Sequence, residues 1–147
     1  MQISESITID ASVGRVWEVL TDLDAYEQWN PFIISASGTP AVGQKFTARF
    51  KPPGSRAITM HPRVTAVDVD GRLAWLGHAV VPGLFDGAHE FILEPTADGG
   101  THLTQSETFG GVLVPLFKGT IERSREGFRQ FNAALAARAT REESDVA

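Results

Sequence analysis

Residues 115–139 read PLFKGTIERSREGFRQFNAALAARA, and this stretch decides the fold. Pro115 suits a first helical turn, where a missing N–H costs little. A helix of this length would extend about 37 Å at 1.5 Å per residue. We therefore predict a long C-terminal helix that crosses a whole small domain. Six residues of this stretch follow one another at alternating spacings of four and three, which places them on one face of a helix. They are Phe117, Ile121, Ser124, Phe128, Phe131 and Leu135.

The chain before this helix predicts mostly β-strands. A strand at Ile3–Ile9 precedes a short helix capped by Ser12, and Asp22 is placed to cap a second short turn. Because tight turns such as Asp70-Gly71 connect the later segments, we expect an antiparallel sheet and an α+β domain. The later extended segments are predicted at residues 45–50, 57–67, 72–80, 85–93 and 101–109.

The composition limits the classes of function. The chain has no Cys, which excludes disulfide scaffolds and thiolate metal sites. Its 13 Lys and Arg against 18 Asp and Glu give a net charge of −5, which argues against binding nucleic acid or docking on anionic membranes. The four His are scattered without metal-ligand spacing, so we expect no metal and no other cofactor.

The length of 147 residues predicts one domain over residues 1–141, followed by a polar tail at 142–147. The sequence shows no targeting segment, and its apolar runs are far shorter than the ~20 residues of a membrane span. We therefore expect a cytoplasmic protein without stable membrane insertion, either a monomer or a homodimer.

Small residues on the long helix raise the question of an internal cavity. Thr120, Ser124 and Gly127 lie on or beside the face that carries Phe117 and Phe128. Small residues among large ones can leave room for a guest molecule. Strand aromatics can equally fill that space, because protein interiors usually reach close-packed density. The pattern leaves both outcomes open.

Two titratable side chains share strand faces with apolar residues. His89 alternates with Phe91 and Leu93, and Glu107 lies on the same face as Gln105. If both point inward, they are partly desolvated and could act together as a general acid and base. A buried structural hydrogen bond is the alternative.

The ordered combination of segments resembles the START/Bet v 1-like (SRPBCC) superfamily, and within it the polyketide cyclase/dehydrase-like group. The resemblance covers roughly 130 residues, and the combination is more specific than any single motif. The matching segments are residues 7–12, 16–22, 26–32, 38–43, 73–75, 84–91 and 101–110, together with the long terminal helix.

This resemblance implies a helix-grip fold, in which a sheet of about seven strands curls around the C-terminal helix and two short helices close one end. It also implies a deep apolar cavity for a lipid, a polyketide or an aromatic compound. Glu107 and His89 are the candidate acid/base residues. The predicted ligand-binding residues are Trp29, Phe32, Trp75, Phe91, Gln105, Phe109, Phe117, Ser124 and Phe128.

Three functions remain open from the sequence. The first is binding of a small hydrophobic ligand, with the polar residues orienting one group of that ligand. The second is a polyketide cyclase or dehydratase that moves a proton through His89 or Glu107. The third is a co-chaperone-like interaction domain, which would need an exposed patch outside the cavity.

Overall fold

The computed structural model describes residues 1–79 and 81–146, with side chains through residue 141. Its α-helices are the short α1 (Val13–Thr21) and the long α2 (Lys118–Val146), and two 3₁₀ helices span Leu23–Gln28 and Val114–Phe117. The described strands are β1 (Gln2–Ile9), β2 (Ile33–Ser37), β3 (Thr47–Phe50), β4 (Ile58–Met60), β5 (Arg63–Asp68), β6 (Arg72–Ala79), β7 (Phe85–Pro95) and β8 (Thr101–Gly110). This arrangement confirms the predicted α+β fold with a long C-terminal helix.

The strands form two antiparallel sheets. The larger has the order β1-β8-β7-β6-β5, and the smaller has the order β2-β3-β4. An isolated bridge between Lys45 and Arg63 connects them. The expectation of a single sheet of about seven strands is therefore wrong. The predicted strand at 57–67 divides at His61 and Pro62 into β4 and β5, which belong to different sheets. Pro62 carries no N–H to donate to a ladder, which explains the break.

The β5–β6 turn follows the predicted geometry. Asp70 has a φ of 65°, the left-handed region that Asp tolerates better than most residues. Gly71 N–H donates to the Asp68 carbonyl at 2.9 Å and closes the turn. The Asp70-Gly71 hairpin is therefore confirmed. The predicted end of the next strand at Val80 lies outside the described residues.

The N-terminal helices are capped differently from each other. The Ser12 hydroxyl accepts a hydrogen bond from the Arg15 N–H at 3.1 Å, as predicted for the cap of α1. Asp22 makes no side-chain capping bond to the 3₁₀ helix at Leu23–Gln28, so that prediction is wrong. The turn is instead held by the backbone bond from Ala25 N–H to the Asp22 carbonyl at 3.2 Å.

Helix α2 starts later than predicted and continues further. Pro115 belongs to the 3₁₀ helix that precedes it, and the helix backbone extends through Val146, over most of the predicted tail. Its inner face is buried and packs against the sheet. Two ion pairs tie it to β1, from Arg129 Nη2 and Arg125 Nη1 to Glu5 Oε1 at 3.0 and 3.8 Å. Among the described residues, no helix is both long and apolar enough to span a membrane.

Candidate functional site

A cavity of about 380 Å³ lies between the strands, the β3–β4 hairpin and the first turns of α2. Its walls are mainly aromatic and aliphatic, and the charged residues among them are Arg56 and Glu107. Arg56, Ile58 and Phe117 are exposed wall residues, so the opening faces solvent between the hairpin and α2. The remaining lining comes from Phe32, Phe50, Pro52, Ser55, Met60, Pro62, Trp75, Gly77, Ala79, Phe85, Gly87, Phe109, Leu113, Thr120, Ile121 and Ser124.

Six of the predicted site residues meet at this cavity. They come from the position just before β2, from β6 and β8 of the larger sheet, from the end of the second 3₁₀ helix and from α2. Asn30 fixes the first of them, because its Oδ1 accepts from the N–H groups of Phe32 and Ile33 at 3.0 and 2.9 Å. The six residues are Phe32, Trp75, Glu107, Phe109, Phe117 and Ser124.

The other predicted aromatics lie outside the cavity wall. Trp29 packs edge-on against Phe131 at 5.6 Å between ring centroids, and Phe91 packs on Phe131 from the sheet side at 5.3 Å. Phe128 is fully buried between Phe32 and the ring of His89. The C-terminal half of the inner face of α2 is closely packed, which confines the cavity to the first turns of the helix.

The small residues of α2 do not all open space. Thr120 and Ser124 line the cavity. Gly127 instead receives the ring of Phe32, because a Cβ at this glycine would lie 2.4 Å from Phe32 Cδ1. Both outcomes that the sequence left open therefore occur on one helix, one turn apart.

His89 and Glu107 are neighbours across the β7–β8 ladder. His89 Nδ1 lies 3.4 Å from Glu107 Oε1, and its Nε2 lies 2.8 Å from Gln105 Oε1. The imidazole is only 1% exposed and stacks on Trp75 at 4.9 Å. Gln105 is also fully buried. Of these three polar residues only Glu107 reaches the cavity, and the other two lie behind it.

The pKa values of Asp86 and Tyr26 are shifted by their surroundings. The hydrogen bond from His78 Nδ1, at 2.7 Å, lowers the pKa of Asp86, and the Gly83 N–H adds to this effect. These bonds hold the start of β7 beside the cavity. Burial raises the pKa of Tyr26, whose hydroxyl donates to the Leu20 carbonyl. Tyr26 therefore serves as a core residue.

Metal-binding groups do not converge in the described part of the chain. No three His, Asp or Glu side chains there come close enough to hold an ion together. His61 contacts the Thr47 hydroxyl at 3.2 Å, and His78 contacts Asp86. His61 lies between β4 and β5, whereas the His78–Asp86 pair joins β6 to β7.

A comparison with protein families shows which family the chain belongs to. A sequence profile described as "Polyketide cyclase / dehydrase and lipid transport" matches residues 1–140. The chain belongs to this family. The match spans every described strand and most of α2, so the cavity of this family member lies wholly within the matched region.

Solved structures share the fold along almost the whole chain. Protein MLL2253 from Mesorhizobium loti is 22% identical, with a TM-score of 0.75 over 96% of this chain and 98% of that one. The Zhui aromatase/cyclase from Streptomyces sp. R1128 is 17% identical, with a TM-score of 0.78 over 96% and 94%. A START superfamily protein from Mycobacterium smegmatis is 18% identical, with a TM-score of 0.73 over 95% and 97%. These likenesses show the fold alone, and the family match confirms the predicted polyketide cyclase/dehydrase-like group. No curated protein sequence matches this chain.

Several site residues of this family member escaped the sequence analysis. Gly87 lies inside β7, where a glycine is a known signal of close approach by another group. Asn132 sits among the buried residues of α2 and donates to the Glu5 carbonyl at 3.3 Å. A polar residue on an otherwise apolar helix face is a usable signal. The wall residues Pro52 and Arg56 reach the cavity because of where the β3–β4 hairpin lies, and no sequence pattern marks them as site residues.

Proposed function

We propose that this protein binds a small hydrophobic molecule, such as a lipid, a polyketide or an aromatic compound, in the cavity beside α2. The observation that carries this proposal is an aromatic-walled space of about 380 Å³ with an opening to solvent. Ligand sites typically measure ~300–1,000 Å³ and combine apolar walls with a few polar groups. Moving apolar ligand surface from water into such walls is favourable by roughly 25 cal/mol per Å².

The wall residues supply the contact surface in this proposal. Phe32, Trp75, Phe109 and Phe117 would touch the ligand, and Ser124 would leave it room. The predicted residues behind the wall would act indirectly, by holding these side chains in place. The family description includes lipid transport, which supports an apolar cargo.

Filling the cavity from α2 should abolish binding. Ser124 is 7% exposed, lines the cavity and donates a hydrogen bond to the Thr120 carbonyl of its own helix, at 3.1 Å. We expect Ser124→Phe to fold and to lose at least about tenfold in affinity for an environment-sensitive apolar dye, because the ring takes the ligand's space. Titration of the dye, followed by fluorescence, measures the change.

The matched control is Gln130→Phe, which adds the same ring to an exposed position of the same helix. It should leave dye affinity within about twofold, because the ring would stay in solvent. Native mass spectrometry of the purified protein should also detect a co-purified apolar molecule in wild type and less of it in Ser124→Phe. Equal dye binding by both variants would refute a ligand site in this cavity.

A second candidate function is proton-transfer catalysis of the polyketide cyclase or dehydratase type. The specific observation in its favour is the carboxylate of Glu107 at the cavity wall, with His89 Nδ1 3.4 Å away. A carboxylate facing a bound substrate can accept or return a proton, which typically contributes ~10²–10⁴-fold to the rate. Glu107 would be the catalytic residue, and His89 would position it.

Turnover tests this candidate directly. With a polyketide-type substrate we expect a bell-shaped pH profile in wild type, and a loss of about 10²-fold or more in kcat for Glu107→Gln. The affinity of Glu107→Gln for the apolar dye should change little, because the amide keeps the size of the side chain. Unchanged kcat in Glu107→Gln would remove this residue from any mechanism.

A further inference from the structure

A directional chain of hydrogen bonds ends beside the cavity carboxylate. The Glu5 carbonyl can only accept, so Asn132 must present its NH₂ group there, at 3.3 Å. The Asn132 Oδ1 then accepts from Gln105 Nε2 at 2.8 Å, which leaves Gln105 Oε1 to face His89 Nε2 at 2.8 Å. Because an amide oxygen cannot donate, His89 Nε2 carries the hydrogen.

This chain determines which ring nitrogen faces Glu107. With Nε2 committed as a donor to Gln105, His89 faces Glu107 Oε1 with its Nδ1, at 3.4 Å. Because a bare ring nitrogen and a carboxylate oxygen both only accept, this contact requires a proton held between the two atoms. The ring cannot turn, because it is buried against Trp75, Phe91 and Phe128. One oxygen of the carboxylate is therefore occupied by a fixed neighbour.

The second oxygen of Glu107 lies over a glycine. A Cβ placed on Gly87 would be 2.1 Å from Glu107 Oε2, so any other residue would displace the carboxylate. Among the described residues, no donor is hydrogen-bonded to this oxygen, although the Glu107 side chain is only 17% exposed. This half-buried carboxylate oxygen at the wall of an apolar cavity is available to accept a hydrogen bond from a bound molecule.

We propose that the cavity selects ligands that carry a neutral hydroxyl, phenolic or alcoholic, and that Glu107 Oε2 accepts the hydrogen bond from it. Gly87 and His89 are the positioning residues for that oxygen. This inference rests on the proposed ligand-binding function and narrows its ligand class. A hydrogen bond to this oxygen at an apolar wall contributes enough to separate two similar ligands by about tenfold in affinity.

Two probes that differ by a single methyl group test the proposal. 2-Naphthol carries the hydroxyl, and 2-methoxynaphthalene replaces it with a methyl ether that cannot donate. Wild-type protein should bind 2-naphthol about tenfold more tightly by calorimetric titration. Glu107→Leu should bind both probes with similar affinity, since the acceptor is gone and the apolar wall remains.

Gly87→Ala tests the positioning role without emptying the site. The added methyl meets only the flexible end of Glu107, so the chain should fold normally while the preference for 2-naphthol falls severalfold. Gly110→Ala is the matched control. Gly110 lies at the end of the neighbouring strand β8, outside the cavity wall, and its added Cβ would meet nothing within 4 Å. It should therefore keep the preference.

The outcomes separate the two levels of the proposal. If wild type binds neither probe, the ligand-binding function fails and the inference fails with it. If wild type binds both probes equally, the cavity is a ligand site but does not select a hydroxyl. If Gly87→Ala keeps the full preference while Glu107→Leu loses it, the acceptor is right and the role of Gly87 is wrong.

Discussion

Phe128→Ala should destabilise the protein by about 3–5 kcal/mol, because it empties the most enclosed contact between α2 and the sheet. Phe128 is fully buried, and its ring meets Phe32 edge-on at 5.5 Å and His89 at 5.0 Å. Asn30 holds the backbone of Phe32, and Trp75 stacks on His89, so the structure can relax only in part. Urea unfolding followed by circular dichroism should show a much lower midpoint with an unchanged slope.

Phe117→Ala, in the 3₁₀ helix directly before α2, provides the comparison. Phe117 is 39% exposed, lines the cavity opening and packs on Phe85 at 5.0 Å. We expect this truncation to cost only about 1 kcal/mol, since less surface returns to water, but to weaken dye binding several-fold. Similar losses of stability in the two variants would contradict the division of α2 into a packed half and a cavity half.

Gly127→Ala should destabilise the protein by about 1–3 kcal/mol, although alanine favours the helix over glycine by roughly 1 kcal/mol. The reason is steric. The ring of Phe32 occupies the place of the missing side chain, with Cδ1 only 2.4 Å from where the Cβ would be. Phe32 cannot simply withdraw, because Asn30 holds its backbone and Phe128 holds its ring.

Gly119→Ala should move stability in the opposite direction. Its added Cβ would meet only Arg123 Nη1, at an ordinary 3.6 Å, so the helix preference of alanine acts unopposed. We expect a gain of a few tenths of a kcal/mol up to about 1 kcal/mol. Thermal melts of the two variants should therefore shift in opposite directions, and a stabilised Gly127→Ala would show that Phe32 is free to move.

The long helix could be predicted because its signal is local. The spacing of Ile121, Phe128, Phe131 and Leu135 repeats the helix period, and all four residues are buried. The α+β class followed from turn signals such as Asp70-Gly71. Strand β2 had no such signal, since Ile33–Ser37 mixes small and polar residues and shows a register shift against β3.

The cavity could be predicted only in outline. The aromatic residues that form its walls were recognisable in the sequence, and six of the expected residues line it. Its position was not, because it depends on where the ring of Phe32 lands, and that ring fills the space beside Gly127 rather than beside Ser124. The bond from Asn132 to the Glu5 carbonyl joins residues 127 positions apart. Contacts of that separation leave no trace in a short-range pattern.

The uneven burial along α2 has a consequence for how a guest could enter. The 3₁₀ helix before it has no buried residue, Leu116 is 77% exposed, and continuous burial begins only at Ile121. Local fraying of these first turns costs far less free energy than global unfolding, because little apolar surface is released. The C-terminal half of the helix is packed by Phe128, Phe131 and Leu135. We therefore expect a molecule to enter by local fraying of the first turns, without disturbing the core that keeps the chain folded.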